Sequence, residues 1–201
     1  MMKQKSIFLL LTLFLIQVGC LEEPSPANDE RAFTKIYDNY QFSASYFPID
    51  IQQTSDGGYL ILGGRRLTTT TFSGIYLMKA DKFGNFVSDA EIDESFVNPV
   101  GDLMKIGADY YFLCMDPLTL ETHIAQVDAN GEGFTTTPVG GSLSYPAAAS
   151  LDNTNIVALS YNSVTLQTII SVITSTGSVT SSKGIQSVQV KALRSLLSIT
   201  I

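Results

Sequence analysis

From residue 59 onward the chain reads as short apolar runs, at 59–62, 75–80, 110–114, 124–127, 156–159 and 169–173, set off by stretches of Gly, Asp, Asn, Ser and Thr. The runs are strand-length and rich in Ile, Val, Leu, Tyr and Phe, and no helical period is sustained before the final residues. The pattern predicts an all-β protein. Within the runs the apolar character is nearly unbroken rather than alternating. Strands of that kind are covered on both faces, which calls for sheets stacked between other sheets.

The runs recur in register. Ile75-Tyr76-Leu77-Met78-Lys79-Ala80-Asp81-Lys82-Phe83-Gly84-Asn85, Thr122-His123-Ile124-Ala125-Gln126-Val127-Asp128-Ala129-Asn130-Gly131-Glu132 and Thr168-Ile169-Ile170-Ser171-Val172-Ile173-Thr174-Ser175-Thr176-Gly177-Ser178 superpose, and Gly84, Gly131 and Gly177 lie 47 and 46 residues apart. In each, a strand enters a turn where Asp or Thr folds its side chain onto the backbone and Gly supplies the positive φ. A further strand is expected after each turn, from Phe86, Phe134 and Val179. Upstream, Ser55-Asp56-Gly57-Gly58, Gly107-Ala108-Asp109 and Asp152-Asn153-Thr154-Asn155 mark a second hairpin per unit. Two hairpins make four strands, and four strands on such a period match the scale of a β-propeller blade. The units fall at about 33–85, 86–132 and 134–178, with a partial one at 179–201.

Three stretches of the first unit carry a resemblance: Phe33-Thr34-Lys35-Ile36-Tyr37, then Ile51-Gln52-Gln53-Thr54-Ser55-Asp56-Gly57-Gly58-Tyr59-Leu60-Ile61-Leu62-Gly63-Gly64, then Tyr76-Leu77-Met78-Lys79-Ala80-Asp81-Lys82-Phe83-Gly84-Asn85. They resemble the repeat of bacterial secreted propeller proteins, approximately W-x-K-x-Y-G, Q-T-x-D-G-G-Y-I-x-x-G and Y-L-x-K-x-D-x-x-G-N. The second and third units keep only its strand and turn positions. The resemblance implies an architecture, a β-propeller-like array of four-stranded antiparallel blades, and no catalytic residue. One strand at 33–37, three complete units and two strands at 187–191 and 195–201 make fifteen strands, an awkward number for a fold of four to eight blades. The reading adopted is a chain truncated from a longer propeller. The alternatives are a small fourth blade in which 33–37 joins the C-terminal strands, open stacking, and closure by oligomerisation.

The N-terminus has a different pattern. Lys3 and Lys5 precede an apolar run at 6–16, and Gln17-Val18-Gly19-Cys20 ends it before the chain turns polar. A basic start, an apolar core too short to span a bilayer and a small residue at the end describe an export signal at 1–19. Gly19-Cys20 resembles the end of a bacterial lipobox, with Gln17 departing from its usual aliphatic residue. The resemblance implies a mature chain lipid-attached at Cys20, of the palmitate-bearing kind. Stable anchoring takes more than one acyl chain, and bacterial lipoproteins are understood to carry several. Residues 20–32 read as that anchor and a flexible linker. Glu22-Glu23 directly after the cysteine is similar to lipoproteins sent to the cell surface by some Gram-negative bacteria. The expected location is the cell envelope, at the outer membrane.

Composition narrows the partners. Without Lys3 and Lys5 the basic side chains fall from 12 to 10 against 19 acidic, so the mature chain is strongly anionic. Neither nucleic acid nor an anionic membrane surface suits it. The one adjacent basic pair, Arg65-Arg66, stands before Leu67-Thr68-Thr69-Thr70-Thr71, in what reads as a long hairpin loop, and is a candidate polar binding rim. Asp89, Glu91, Asp93 and Glu94 cluster in what reads as a solvated connection, although a carboxylate pair across a cleft does glycoside chemistry.

His123, the lone histidine, has no Cys or His at metal-ligand spacing and reads as a packed or surface residue. Cys114 has no disulfide partner once Cys20 is acylated and reads as a small buried hydrophobe. Asp128-Ala129-Asn130-Gly131 lacks the later ligands of a calcium loop and reads as the repeated turn. No hydrolase elbow, zinc-protease, phosphate-loop or C-x-x-C motif occurs, so no catalytic, cofactor-binding or metal residue is assigned. The expectation is an envelope lipoprotein whose blades bind a protein or glycan without catalysis. The alternatives are a carbohydrate-active enzyme using loop carboxylates, and a fragment with no site of its own.

Overall fold

The computed structural model describes residues 45–162 and 165–185, and these contain strands, turns and loops with no helix. The leader, Cys20, and the candidate strands at 33–37, 187–191 and 195–201 lie outside the described residues. Twelve strands follow in order as three antiparallel meanders. The first is β1 (Tyr46–Gln53), β2 (Tyr59–Arg66), β3 (Ser73–Ala80) and β4 (Phe86–Glu91). The second is β5 (Val97–Ile106), β6 (Asp109–Met115), β7 (Thr122–Val127) and β8 (Thr135–Pro138). The third is β9 (Pro146–Asp152), β10 (Asn155–Asn162), β11 (Gln167–Thr174) and β12 (Val179–Ile185).

The expected strand-rich runs sit on β2, β3, β6, β7, β10 and β11. A single bridge, Gly74 to Val97, joins the first two meanders into one hydrogen-bonded sheet of eight strands; the third stands as a sheet of four.

Each four-stranded meander is one blade sheet, and these three sheets are out of phase with the sequence units at 33–85, 86–132 and 134–178. The tight Gly turns join hydrogen-bonded neighbours, so β4, β8 and β12 pair with the strand before each turn and belong to its sheet. Sheet boundaries therefore fall in the connections at 92–96 and 139–145. The turn itself has the expected chemistry. Asp81 Oδ1 accepts from the amides of Phe83 and Asn85 at 2.8 and 2.7 Å, Asp128 Oδ1 from those of Asn130 and Glu132 at 2.8 and 2.9 Å, and Thr174 Oγ1 from that of Ser178 at 3.2 Å. Gly84, Gly131 and Gly177 take φ of +74°, +78° and +82°, where an L side chain is strained.

Burial follows a two-residue period on both faces. On β6, Tyr110, Phe112 and Cys114 pack with Leu60, Leu62, Ile75 and Leu77 of the first sheet, while Tyr111 and Leu113 pack with Ile156, Ala158 and Ile173 of the third. The middle sheet is thus apolar on both sides, which is why its runs do not alternate. The opening strands neighbour each other across the sheets, β1 beside β5 and β5 beside β9, and β4 and β12 are mostly exposed. Adjacent opening strands, exposed closing strands and stacked faces make this a propeller-like array of blades.

The motif of the first unit acquires a structural meaning. Lys79 on β3 is only 3% exposed, and its Nζ donates to Thr54 Oγ1 at 2.6 Å and lies 3.0 Å from Asp56 Oδ2. Asp56 Oδ1 accepts from Thr54 Oγ1 at 2.5 Å and from the Gly58 amide at 3.0 Å. A Cβ on Gly58 would lie 2.5 Å from the Ala80 carbonyl oxygen, so the second glycine lets the β1–β2 hairpin lie against β3. The T-x-D-G-G and Y-L-x-K elements are two halves of one clasp. At the corresponding place in the second sheet Gln126 Nε2 donates to Asp109 Oδ2 at 3.0 Å, and in the third Val172 occupies the lysine position.

Candidate functional site

Arg65 and Arg66 are not in a loop: they close β2, because the antiparallel ladder runs on through Arg65–Gly74 and Arg66–Ser73. Strand alternation sends the two side chains to opposite faces. Arg66 is exposed, and Arg65 lies across the face of the first sheet with 15% of its side chain accessible. Opposite it, Gly74 leaves room for the arginine stem, since a Cβ there would stand 3.1 Å from Arg65 Cγ. Asp89 and Glu91 belong to β4, two residues apart and therefore on one face, whereas Asp93 and Glu94 are in the following connection.

These placements gather a cluster that the sequence presents as two separate features. The Arg65 guanidinium lies 3.6 Å from Glu91 and 3.9 Å from Glu94. Tyr46 donates its hydroxyl to Glu91 Oε1 at 2.6 Å, Tyr76 donates to Asp89 Oδ2 at 2.9 Å, and Thr69 donates to Glu94 Oε2 at 2.6 Å. The Tyr46 and Tyr76 rings lie 4.6 Å apart between centroids, tilted by 52°. Burial, then the bond to Glu91 and its charge, pushes the Tyr46 phenol up to about 12. Burial and then the bond to Asp89 raise Tyr76 as well.

Both phenols therefore keep their hydrogens and donate. The buried Nε of Arg65 has no hydrogen-bond partner among the described residues. Asp93 stands apart from the cluster, its carboxyl lowered by the Ser95 hydroxyl and then by the Ser95 amide, which cap it within its own turn.

Chemically the cluster gathers a cation, phenol and hydroxyl groups, carboxylate acceptors and two aromatic rings on one sheet face and the two loops beside it. Two-carboxylate glycoside chemistry needs an acid and a base on either side of the scissile bond. Asp89 and Glu91 instead lie side by side on one strand, each accepting from a tyrosine.

Elsewhere, Asp50, Asn98, Gly101, Asp102 and Pro146 line an open cleft of about 470 Å³ where the three opening strands meet. Asp50 spends its oxygens on backbone amides, accepting from Leu103 at 2.6 Å and Ile51 at 2.8 Å, so it fixes the irregular β5 to β1.

His123 sits on β7 beside Phe96, with ring centroids 5.0 Å apart, and burial lowers its pKa against the opposing pull of Asp116 and Glu121. Cys114 is fully buried, and burial alone pushes its thiol up to about 12. Asp128 is the turn residue. Sequence reasoning missed Tyr46, Tyr76 and Thr69; their partners are 13 to 45 residues away, and only the strand register brings them together.

No family model matches the sequence, nor does any curated protein match it. Among solved structures, the chain is similar to the β-propeller domain of the Trilobed protease from Pyrococcus furiosus, at 7% identity and a TM-score of 0.48, over 71% of this chain and 44% of that one. It is also similar to a Synechocystis apocarotenoid oxygenase, at 14% identity and a TM-score of 0.38, over 68% and 38%, and to a protein of unknown function from Bacteroides caccae, at 11% and 0.32, over 70% and 68%. The chain thus spans less than half the length of the first two.

Proposed function

We propose that the protein is a cell-envelope lipoprotein, anchored through an acylated Cys20 at the outer membrane, whose propeller-like array is a non-catalytic binding module for a hydroxyl-rich glycan. The observation that carries the reading is the cluster of Arg65, Tyr46, Tyr76, Asp89 and Glu91 on one sheet face with Thr69 and Glu94 from the loops beside it. A sugar presents alternating hydroxyl donors and acceptors with apolar ring faces. The cluster offers carboxylate acceptors, phenol and hydroxyl groups, a guanidinium fork and aromatic edges in the same area. Rigid scaffolds of this kind commonly recognise ligands at their surfaces while the fold itself fixes no ligand. The anchor reading rests on the lipobox resemblance and the acidic residues after Cys20.

The test is a titration of the full chain against envelope polysaccharides, repeated with Arg65→Met. A saturable glycan whose affinity falls at least about tenfold in the variant, the loss of a charge-assisted contact, supports the reading. No saturable glycan, or one that binds the variant equally, sinks it. The anchor is read separately by Cys20→Ala, which abolishes lipid labelling and membrane retention if the cysteine carries the lipid.

A further inference from the structure

The repeat makes the outward face of the third sheet interpretable. In the first sheet Leu60 and Leu62 on β2 and Leu77 on β3 face the next sheet and are at most 1% exposed. In the second, Tyr111 and Leu113 on β6 and Ile124 on β7 do the same at 8%, 0% and 2%. The equivalent positions of the third sheet are Val157 and Leu159 on β10 and Ile170 on β11. Their neighbours at odd spacing, Ile156, Ala158 and Ile173, are buried against the second sheet, so strand alternation turns this set outward. Ile170 is 41% exposed, Tyr161 is 39%, and Val157 and Leu159 are half-buried. Among the described residues no sheet lies on this face, which has the composition of an internal interface.

We propose that residues 186–201 of this same chain cover that face. At both earlier junctions the fourth strand is followed, across the connections at 92–96 and 139–145, by the opening strand of the next sheet. After β12 the chain runs on for 16 residues, with apolar residues alternating at Val188 and Val190 and again at Leu197, Ile199 and Ile201. That two-residue period is what a strand with one face on an apolar surface requires. Tethering favours this occupant over a second copy of the chain, since a segment joined directly to β12 is present at an effective concentration of about millimolar. The inference is independent of any ligand and of the lipid anchor.

A double-mutant cycle in the full chain tests it. Ile170→Thr alters the face and Leu197→Asp alters the segment; each alone lowers the urea midpoint. In the double variant the effects are non-additive, with a coupling of about tenfold in the unfolding equilibrium constant. Ile170→Val with Leu197→Ser gives the same cycle with milder changes if either first variant fails to fold. A second measurement is binding of an apolar dye, which rises when the chain is stopped after Ile185. Strictly additive effects in the folded variants, or no gain in dye binding by the shortened chain, overturn the proposal. So does a coupling that appears only in a concentration-dependent dimer, which assigns the face to a second copy.

Discussion

The Lys79–Asp56 clasp predicts an asymmetry between its two halves. Lys79 is buried, whereas the Asp56 side chain is 58% exposed. Asp56→Ala leaves a buried amine with Thr54 as its remaining described partner. It also strips the Gly58 amide and the Thr54 hydroxyl of their acceptor. Breaking a fully buried pair in this way costs about 3–5 kcal/mol. Solvent at Asp56 screens the interaction, and discounting for that exposure brings the expected loss to about 2 kcal/mol. On a chain of this size that is about 4–8 °C in Tm. Lys79→Met removes the charge that must be accommodated and fills its space with a side chain of similar length, so it costs about 1 kcal/mol or less.

The double variant is then no less stable than Asp56→Ala alone, because the stranded amine is gone. Thermal and urea unfolding of the three variants and the parent decide it. If Lys79→Met costs as much as Asp56→Ala, or the double variant falls below both, the stranded-charge reasoning is wrong.

The same clasp fixes a pH dependence. Asp56 is held below its ordinary 3.8 chiefly by the Thr54 hydroxyl, then by Lys79 and the Gly58 amide. Its contribution is fully present above 3.8 and is lost as the pH falls below that value, so the difference between the parent and Asp56→Asn narrows in acid titrations below about pH 4. Cys114, with its thiol near 12 and no exposure, stays unreactive toward a thiol reagent at pH 8 in the folded chain and reacts on addition of urea; rapid labelling of the native chain contradicts its burial. Gly177→Ala places a Cβ 2.6 Å from the Pro138 carbonyl oxygen at a φ of +82°, and lowers stability by about 1–3 kcal/mol in urea unfolding. The equivalent change at Gly107, with open space around it, is milder.

Local chemistry made much of the fold legible. The apolar runs located six strands because these strands supply the packed cores between sheets, and the Asp or Thr turn was readable because its hydrogen bonds join residues two to four apart. Sheet boundaries were less accessible, since the sequence repeat is marked by its turn while a sheet is defined by pairing across that turn. The opening strands β1, β5 and β9 carry irregular patterns and register shifts, which weaken any period. The Arg65 cluster was half visible: Arg65, Asp89, Glu91 and Glu94 stood out as charges, but Tyr46 and Tyr76 read as strand aromatics. What united them is the pairing of Tyr46 with Arg65 and of Tyr76 with Glu91, a consequence of register that composition does not carry.

The clasp also changes along the chain, from Lys79 with Asp56, to Gln126 with Asp109, to Val172 with no polar counterpart at its position. In mechanical terms the opening hairpins of the three sheets are held by side-chain latches of graded strength. A force or protease opening a sheet meets, at this position and beyond the backbone ladder, an ionic latch on the first hairpin, a single hydrogen bond on the second and the apolar Val172 on the third. The first sheet is thus the one whose opening hairpin is polar-locked, while the third carries an apolar side chain at the same position.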